Sequence, residues 1–113
     1  MCTENQLNII TESIAKLAKE VFGDKLHSVI LYGSYARGDY DDESDIDIMI
    51  LVDIPCEELW LYKKPILHLA SDLGLEYDIL VSPFIKDTET FDKYFDVMPF
   101  YQNVQGEGVL IAV

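Results

Sequence analysis

Apolar residues recur at helical spacing in the first part of the chain. The recurring positions are Leu7, Ile10, Ile14, Leu17, Ala18 and Val21. Because steps of three and four residues place side chains on one side of a helix, this pattern predicts an amphipathic helix over Glu4–Phe22. Gly23 and Asp24 follow, and this pair predicts the end of the helix.

Two continuous apolar runs come next, over Leu26–Tyr32 and residues 46–53. Both runs are rich in β-branched residues, so each predicts a buried strand. The segment between them has room for one helical turn and a return, so we expect the strands to pair antiparallel. That segment contains, in order, Gly33, a short predicted helix over Ser34–Arg37, Gly38 and an acidic turn over residues 39–44.

Together, the predicted elements indicate an α/β fold with a small mixed sheet. The chain has 113 residues, a length that suits one domain, so we expect a single domain over residues 1–113. Pro65 interrupts a helical stretch that Gly74 is expected to end, and Pro83 is expected to close the third strand. The predicted elements are a helical stretch over 56–73, a strand over 76–81, helices over 86–95 and 99–104, and a final strand over 109–113.

The chemistry points to the junction of the first two strands. Gly33-Ser34 is followed by ten residues and then by Asp45-Ile46-Asp47. A glycine after a strand lets the backbone approach a ligand closely, and a helix start offers amides to an anion. Asp45 and Asp47 are two residues apart at the start of a strand, so they project on the same face.

Two carboxylates side by side repel each other unless a cation lies between them. Mg²⁺ prefers oxygen ligands and is commonly shared between carboxylates and substrate phosphates. The pattern therefore indicates metal-assisted phosphoryl or nucleotidyl transfer. The simpler alternative is an ordinary turn followed by a polar strand end, which does not account for the complete pattern between two apolar strands.

The segment from Gly33 to Asp47 resembles the signature of the DNA polymerase beta-like nucleotidyltransferases. Its sequence pattern, Gly-Ser-x-Ala-Arg-Gly followed by Ser-Asp-Ile-Asp, is similar to that of the minimal nucleotidyltransferases of bacteria and archaea. Residues 103–110 are also similar to that family. The resemblance implies the family's palm core, a small mixed sheet with helices on one face. It also implies a third metal carboxylate on a later strand, and Asp78 is the matching position.

The resemblance further implies transfer of AMP from ATP to a hydroxyl group. Asp45 and Asp47 would hold two Mg²⁺ ions, and Asp78 would be the third metal carboxylate. Gly33 and Ser34 would bind the β- and γ-phosphates. Small proteins of this family often pair with a HEPN-type toxin, so the acceptor would be the hydroxyl of a tyrosine in that toxin, and this chain would be the antitoxin.

Arg37 is the only arginine in the chain. It lies one helical turn after Ser34, where a guanidinium could bind a phosphate or could hold the turn against a nearby aspartate. Both roles remain open from the sequence. Tyr32 ends an apolar run and is expected in the core.

The charge restricts the class of partner. Twenty-one acidic and eight basic residues give a net charge of −13. A free-standing polymerase or nuclease needs a basic surface to bind its nucleic acid, so we do not expect direct nucleic-acid binding. An acidic surface favours a basic protein partner, which we do expect. No segment has the length of a membrane span, and Cys2 and Cys56 form no disulfide framework, so we expect a cytoplasmic protein.

Two alternative functions stay open. One is a nucleotidyltransferase acting on a small cationic molecule such as an aminoglycoside, which the acidic surface would suit. The other is a non-catalytic antitoxin that neutralises its toxin by binding alone. Because no acceptor-binding domain follows the predicted transferase domain, either a partner protein or a second copy in a homodimer would have to complete the site.

Overall fold

The computed structural model describes residues 3–112. Cys2 and the last residue of the predicted final strand, Val113, lie outside the described residues. The elements are α1 (Glu4–Phe22), β1 (Leu26–Tyr32), α2 (Ser34–Arg37), β2 (Ile46–Val52), α3 (Lys63–Tyr77), β3 (Val81–Asp87), α4 (Thr88–Tyr94), α5 (Pro99–Glu107) and β4 (Val109–Ala112), with 3₁₀ turns at Gly23–Lys25 and Cys56–Leu61.

The first helix begins and ends where the sequence predicts. The Thr3 hydroxyl accepts a hydrogen bond from the Gln6 backbone N–H at 3.1 Å, and the Gln6 side chain accepts one from the Thr3 N–H at 3.0 Å. This reciprocal capping satisfies two N–H groups that a helix start leaves without partners. Gly23 ends the helix with a φ of 54°, which a glycine adopts without strain.

The four strands form one mixed sheet in the order β3-β2-β1-β4. β1 pairs antiparallel with both β2 and β4, whereas β2 pairs parallel with β3. The parallel pair needs a crossover connection, and α3 supplies it. The predicted antiparallel pairing of the first two strands is confirmed, and the predicted mixed α/β fold is confirmed with it.

Side chains on the two faces of the sheet belong to two apolar clusters. Alternate residues of β1 and β2, including Val29 and Ile48, face α1 and α3 in the larger cluster. Ile30, Met49 and Leu51 point to the other face, where they pack against residues of α4 and α5. Helices therefore cover both faces of the sheet, and the expectation of helices on one face was incomplete.

The third helix and strand differ from the prediction. α3 continues past Gly74 to Tyr77, and the strand begins at Val81, so the predicted strand over 76–81 was wrong. Gly74 has a packing role instead, because a Cβ at this position would lie 2.7 Å from the Ile79 carbonyl oxygen. The returning chain could not pass so close to a larger residue.

Pro65 acts as the sequence predicts, whereas Pro83 does not. Pro65 lies in the first turn of α3, where a proline is tolerated, so the helical stretch restarts there. Pro83 lies within β3 and does not close it. β3 is an edge strand, and an edge strand can accommodate a residue that lacks an N–H.

The later helices are shifted by a few residues. Lys86 and Asp87 belong to β3, and α4 begins at Thr88 because the Asp87 side chain caps it, accepting a hydrogen bond from the Thr90 N–H at 2.8 Å. α5 extends to Glu107, three residues beyond the predicted end. Across residues 3–112, no helix combines the length and the apolar character that crossing a membrane would require.

Candidate active site

The two halves of the sequence motif meet at the end of β1 and the start of β2. Tyr32 and Asp47 are register partners on these strands, and Gly33 follows directly. Gly33 has a φ of 77°, and a Cβ added to it would lie 2.5 Å from Asp47 Oδ2. Both the backbone conformation and the space therefore require glycine at this position.

The turn after Gly33 is a single tight helical turn. The N–H groups of Ala36 and Arg37 both donate to the Gly33 carbonyl oxygen at 3.1 Å, and Gly38 N–H donates to the Ser34 carbonyl oxygen at 2.9 Å. Gly38 then leaves the turn in the left-handed conformation. This turn presents the start of α2 beside the Asp47 carboxylate.

A groove of about 350 Å³ lies at this junction. The motif contributes Gly33, Ser34, Arg37 and Asp47 to its lining, so the structure brings these predicted residues together. The other lining residues come from β1 and α5: Tyr32, Phe100, Asn103, Val104 and Glu107. A larger cavity of about 570 Å³ lies between the sheet and helices α4 and α5, and it contains none of the predicted site residues.

The electrostatics of the groove centre on Asp47. Burial raises the pKa of the Asp47 carboxyl above its usual value, the nearby charge of Asp45 raises it further, and Arg37 opposes the shift. A carboxylate that is partly desolvated beside a second carboxylate is poorly stabilised as an anion. A divalent cation bound by oxygen ligands would relieve both effects, so the donor set fits Mg²⁺.

Tyr32 lines the groove and is only partly buried, but it packs against the core cluster that contains Ile30 and Met49, so its expected place in the core is met in part. Burial and then the charge of Asp47 raise the pKa of its phenol to about 12. Its ring meets the Phe100 ring edge-to-face, with 5.6 Å between the ring centroids. This contact joins the end of β1 to α5.

Arg37 lies between two carboxylates. Its Nε is 3.1 Å from Asp39 Oδ2, and its Nη1 is 3.4 Å from Glu107 Oε2. The guanidinium therefore holds the turn to a nearby aspartate, one of the two roles left open by the sequence. It also lines the groove, so the phosphate-binding role stays open as well.

Asp78 is placed apart from this groove. It is the residue that ends α3, with a left-handed φ of 54°, and it lines a second groove beside Leu75 and Leu80. Within residues 3–112, no three His, Cys, Asp or Glu side chains come close enough to form a metal-binding group. The structure therefore does not gather Asp78 with Asp45 and Asp47, and its metal role stays a prediction.

The segment that carries Asp78 nevertheless returns to the motif. The Ile46 N–H donates to the Leu80 carbonyl oxygen at 2.9 Å, directly after Asp45. Asp78 thus lies two residues before Leu80, whose carbonyl oxygen accepts this hydrogen bond at the start of β2. Ser82 is the register partner of Asp47 on β3, and the sequence pattern predicted no role for it.

The residues that α5 contributes were also missed. Phe100, Asn103 and Glu107 line the groove, but they lie far along the chain from the motif. The similarity of residues 103–110 to a known family was the available signal, and it assigned no role to any of them.

Comparisons with known proteins match most of the chain. The family profile described as "Nucleotidyltransferase domain" matches residues 12–101. Two relatives from Methanocaldococcus jannaschii are each named "Putative protein adenylyltransferase". One is 43% identical over 96 residues, covering 81% of this chain and 94% of the relative. The other is 34% identical over 104 residues, covering 92% of this chain and 95% of the relative.

Solved structures show the same fold. The structure of a "putative nucleotidyltransferase" from Sulfolobus solfataricus has a TM-score of 0.59 at 24% identity, covering 94% of this chain and 79% of that one. A structure described as "the toxin-antitoxin with AMP-PNP" has a TM-score of 0.50 at 23% identity, covering 88% of this chain and 70% of that one. At these identities the similarity is one of fold.

Proposed function

This chain belongs to the nucleotidyltransferase domain family, and we propose that it is a Mg²⁺-dependent protein adenylyltransferase acting in the cytoplasm. The proposed reaction moves AMP from ATP to a hydroxyl group of a partner protein. The observation that carries the proposal is the packing of Asp47 against Gly33 in a groove that Ser34 and Arg37 also line. Nucleotidyl transfer requires carboxylates that can hold a divalent cation beside groups that can bind the triphosphate.

Each motif residue has a role in this proposal. Gly33 and Ser34 bind the β- and γ-phosphates, through the backbone and the Ser34 hydroxyl. Asp45 and Asp47 are the metal ligands. Two Mg²⁺ ions, when bound there, would neutralise charge that develops on the phosphates during transfer. Arg37 supplies a fixed positive charge at the same groove.

The proposed transfer forms one bond and breaks another at the α-phosphorus. The acceptor hydroxyl oxygen bonds to that phosphorus, the bond to the bridging oxygen of the β-phosphate breaks, and pyrophosphate leaves. The acceptor proton needs a base, and we assign that role, with the third metal-ligand position, to Asp78. The hydrogen bond from Ile46 to Leu80 supports this assignment, because it brings the segment after Asp78 to the start of β2, directly after Asp45.

We propose a HEPN-type toxin as the acceptor protein and a tyrosine as the acceptor residue, which makes this chain the antitoxin of the pair. The net charge of −13 supports a basic partner. The relatives named as protein adenylyltransferases support a protein acceptor over a small molecule. The structural neighbour described as a toxin–antitoxin complex is consistent with this pairing.

The test begins with the partner. The chain is purified from its native cell at low salt, and the protein that accompanies it is identified and examined by mass spectrometry for added AMP. AMP on that protein, and its loss when the cell carries Asp47→Asn, would support catalytic neutralisation. A partner that is held and neutralised without AMP would make this chain a binding antitoxin. AMP on a small cationic molecule instead would favour the aminoglycoside alternative.

A further inference from the structure

The contact between Arg37 and Glu107 joins two residues that line the groove in which the triphosphate is proposed to bind. The two residues are 70 positions apart in sequence, and their side chains are 43% and 44% exposed. Arg37 has a second carboxylate partner, Asp39, on its Nε. Glu107 lines the groove and Asp39 does not. One carboxylate on the guanidinium is therefore inside the groove and one is outside.

A carboxylate and a phosphate present the same kind of acceptor to a guanidinium. Both are anionic oxygen groups that can accept its N–H groups, often in pairs. We propose that Glu107 occupies on Arg37 the place of a nucleotide phosphate, and that nucleotide binding exchanges the carboxylate for that phosphate. The inference rests on the proposed function, and it adds a residue that controls access of the triphosphate to Arg37.

The contact has the properties of one that can be exchanged. Its 3.4 Å separation is longer than a charge-assisted hydrogen bond between an arginine and a carboxylate usually is. Ion pairs with this much solvent exposure contribute little to stability. Glu107 is also the last residue of α5, and a negative charge at a helix C-terminus is unfavourable. Loss of the contact should therefore cost the fold little.

If Glu107 supports phosphate binding by Arg37, removing its charge should have the opposite effect on nucleotide affinity. If Glu107 instead braces Arg37 in the orientation that binds phosphate, removing its charge should weaken binding. If it holds the place of a phosphate, removing its charge should strengthen binding, because the guanidinium is freed and a negative charge leaves the groove.

The experiment measures the dissociation constants of ATP with Mg²⁺, and of inorganic triphosphate alone, by calorimetry. The variants are Glu107→Gln and, as a matched control, Asp39→Asn, which removes the carboxylate outside the groove. We expect Glu107→Gln to tighten binding of both probes by about threefold or more. Asp39→Asn should change binding by less. Equal or weaker binding by Glu107→Gln, with an unchanged melting temperature, would overturn the inference.

A double variant separates exchange at Arg37 from a general field effect. In an Arg37→Gln background there is no guanidinium to release, so Glu107→Gln should give a clearly smaller gain than it gives alone. The same gain in both backgrounds would overturn the proposed exchange. Failure of the wild-type chain to bind either probe would overturn the proposed function as well, whereas normal wild-type binding without a gain in Glu107→Gln would overturn this inference alone.

Discussion

Asp47 Oδ2 lies 2.5 Å from the position that a Cβ atom on Gly33 would occupy. Gly33 therefore does more than permit a turn, because it leaves the space in which the carboxylate stands. The contact explains in physical terms why glycine and aspartate belong together in the motif although they are fourteen positions apart in the sequence.

Gly33→Ala should move the Asp47 carboxylate and strain the backbone at a φ of 77°. We expect a loss of stability of about 1–3 kcal/mol and a much larger loss of nucleotide transfer. Gly38→Ala is the matched control, since Gly38 has a φ of 86° with open space around its Cβ position. It should lose similar stability but keep most of its transfer activity. Denaturant unfolding and transfer rates measured on both variants check this, and equal loss of activity would contradict it.

The raised pKa of Asp47 predicts a pH dependence of stability in metal-free buffer. The folded state holds the Asp47 proton more tightly than the unfolded state does. The contribution of Asp47 to the free energy of unfolding should therefore fall as pH rises through the interval between its usual and its raised pKa. Above that interval, Asp47→Asn should be more stable than wild type. Unfolding curves over a pH series measure the difference, and a destabilised variant at neutral pH would contradict the account.

The same shift predicts how Mg²⁺ binds. A proton and a metal ion compete for the Asp47 carboxylate, so Mg²⁺ affinity should fall as pH is lowered through the raised pKa. Added Mg²⁺ should stabilise the wild-type fold at neutral pH and should stabilise Asp47→Asn much less. Melting temperatures with and without Mg²⁺ provide the test, and equal stabilisation of both proteins would place the metal elsewhere.

Tyr32 reports on the charge beside it. With a pKa of about 12, its phenol should ionise at higher pH than an ordinary tyrosine does. Asp47→Asn should lower this pKa, because the nearby negative charge is one of its two causes. Ultraviolet titration of wild type and of Tyr32→Phe identifies the Tyr32 signal by difference. An unchanged titration of Tyr32 in Asp47→Asn would show that the two groups do not interact.

Asp78→Asn tests the third carboxylate separately from the fold. Asparagine tolerates the left-handed conformation that Asp78 adopts at the end of α3, so stability should change by less than about 1 kcal/mol. If Asp78 is the third ligand and base, transfer should fall by about 100-fold or more while nucleotide binding persists. Transfer within a few-fold of wild type would leave Asp78 with only its role in ending the helix.

The parts of the fold that local sequence determines were predictable. β1 and α1 have the predicted bounds because an apolar run and a helical repeat each specify a buried surface without reference to the rest of the chain. The end of α3 was not predictable in this way. Gly74 resembles a helix stop in sequence, but the close approach of the Ile79 carbonyl is a tertiary contact that no local pattern reveals.

The candidate site likewise has one part that the sequence predicts and another part that only the completed fold brings into place. The motif from Gly33 to Asp47 encodes its own geometry, because a strand, a turn and a returning strand bring its ends together. Glu107 reaches Arg37 only because β4 pairs with β1 and places the end of α5 beside the motif. That contact depends on the completed sheet, so it could not be derived from the spacing of the motif residues.

Transfer of label from α-phosphate-labelled ATP to the partner protein tests the central claim most directly. The account predicts Mg²⁺-dependent labelling by wild type, and labelling slower by at least about 100-fold with Asp47→Asn, although that variant remains folded and bound to its partner. Labelling by Asp47→Asn at the wild-type rate, or no labelling by wild type in a complex that still forms, would contradict it.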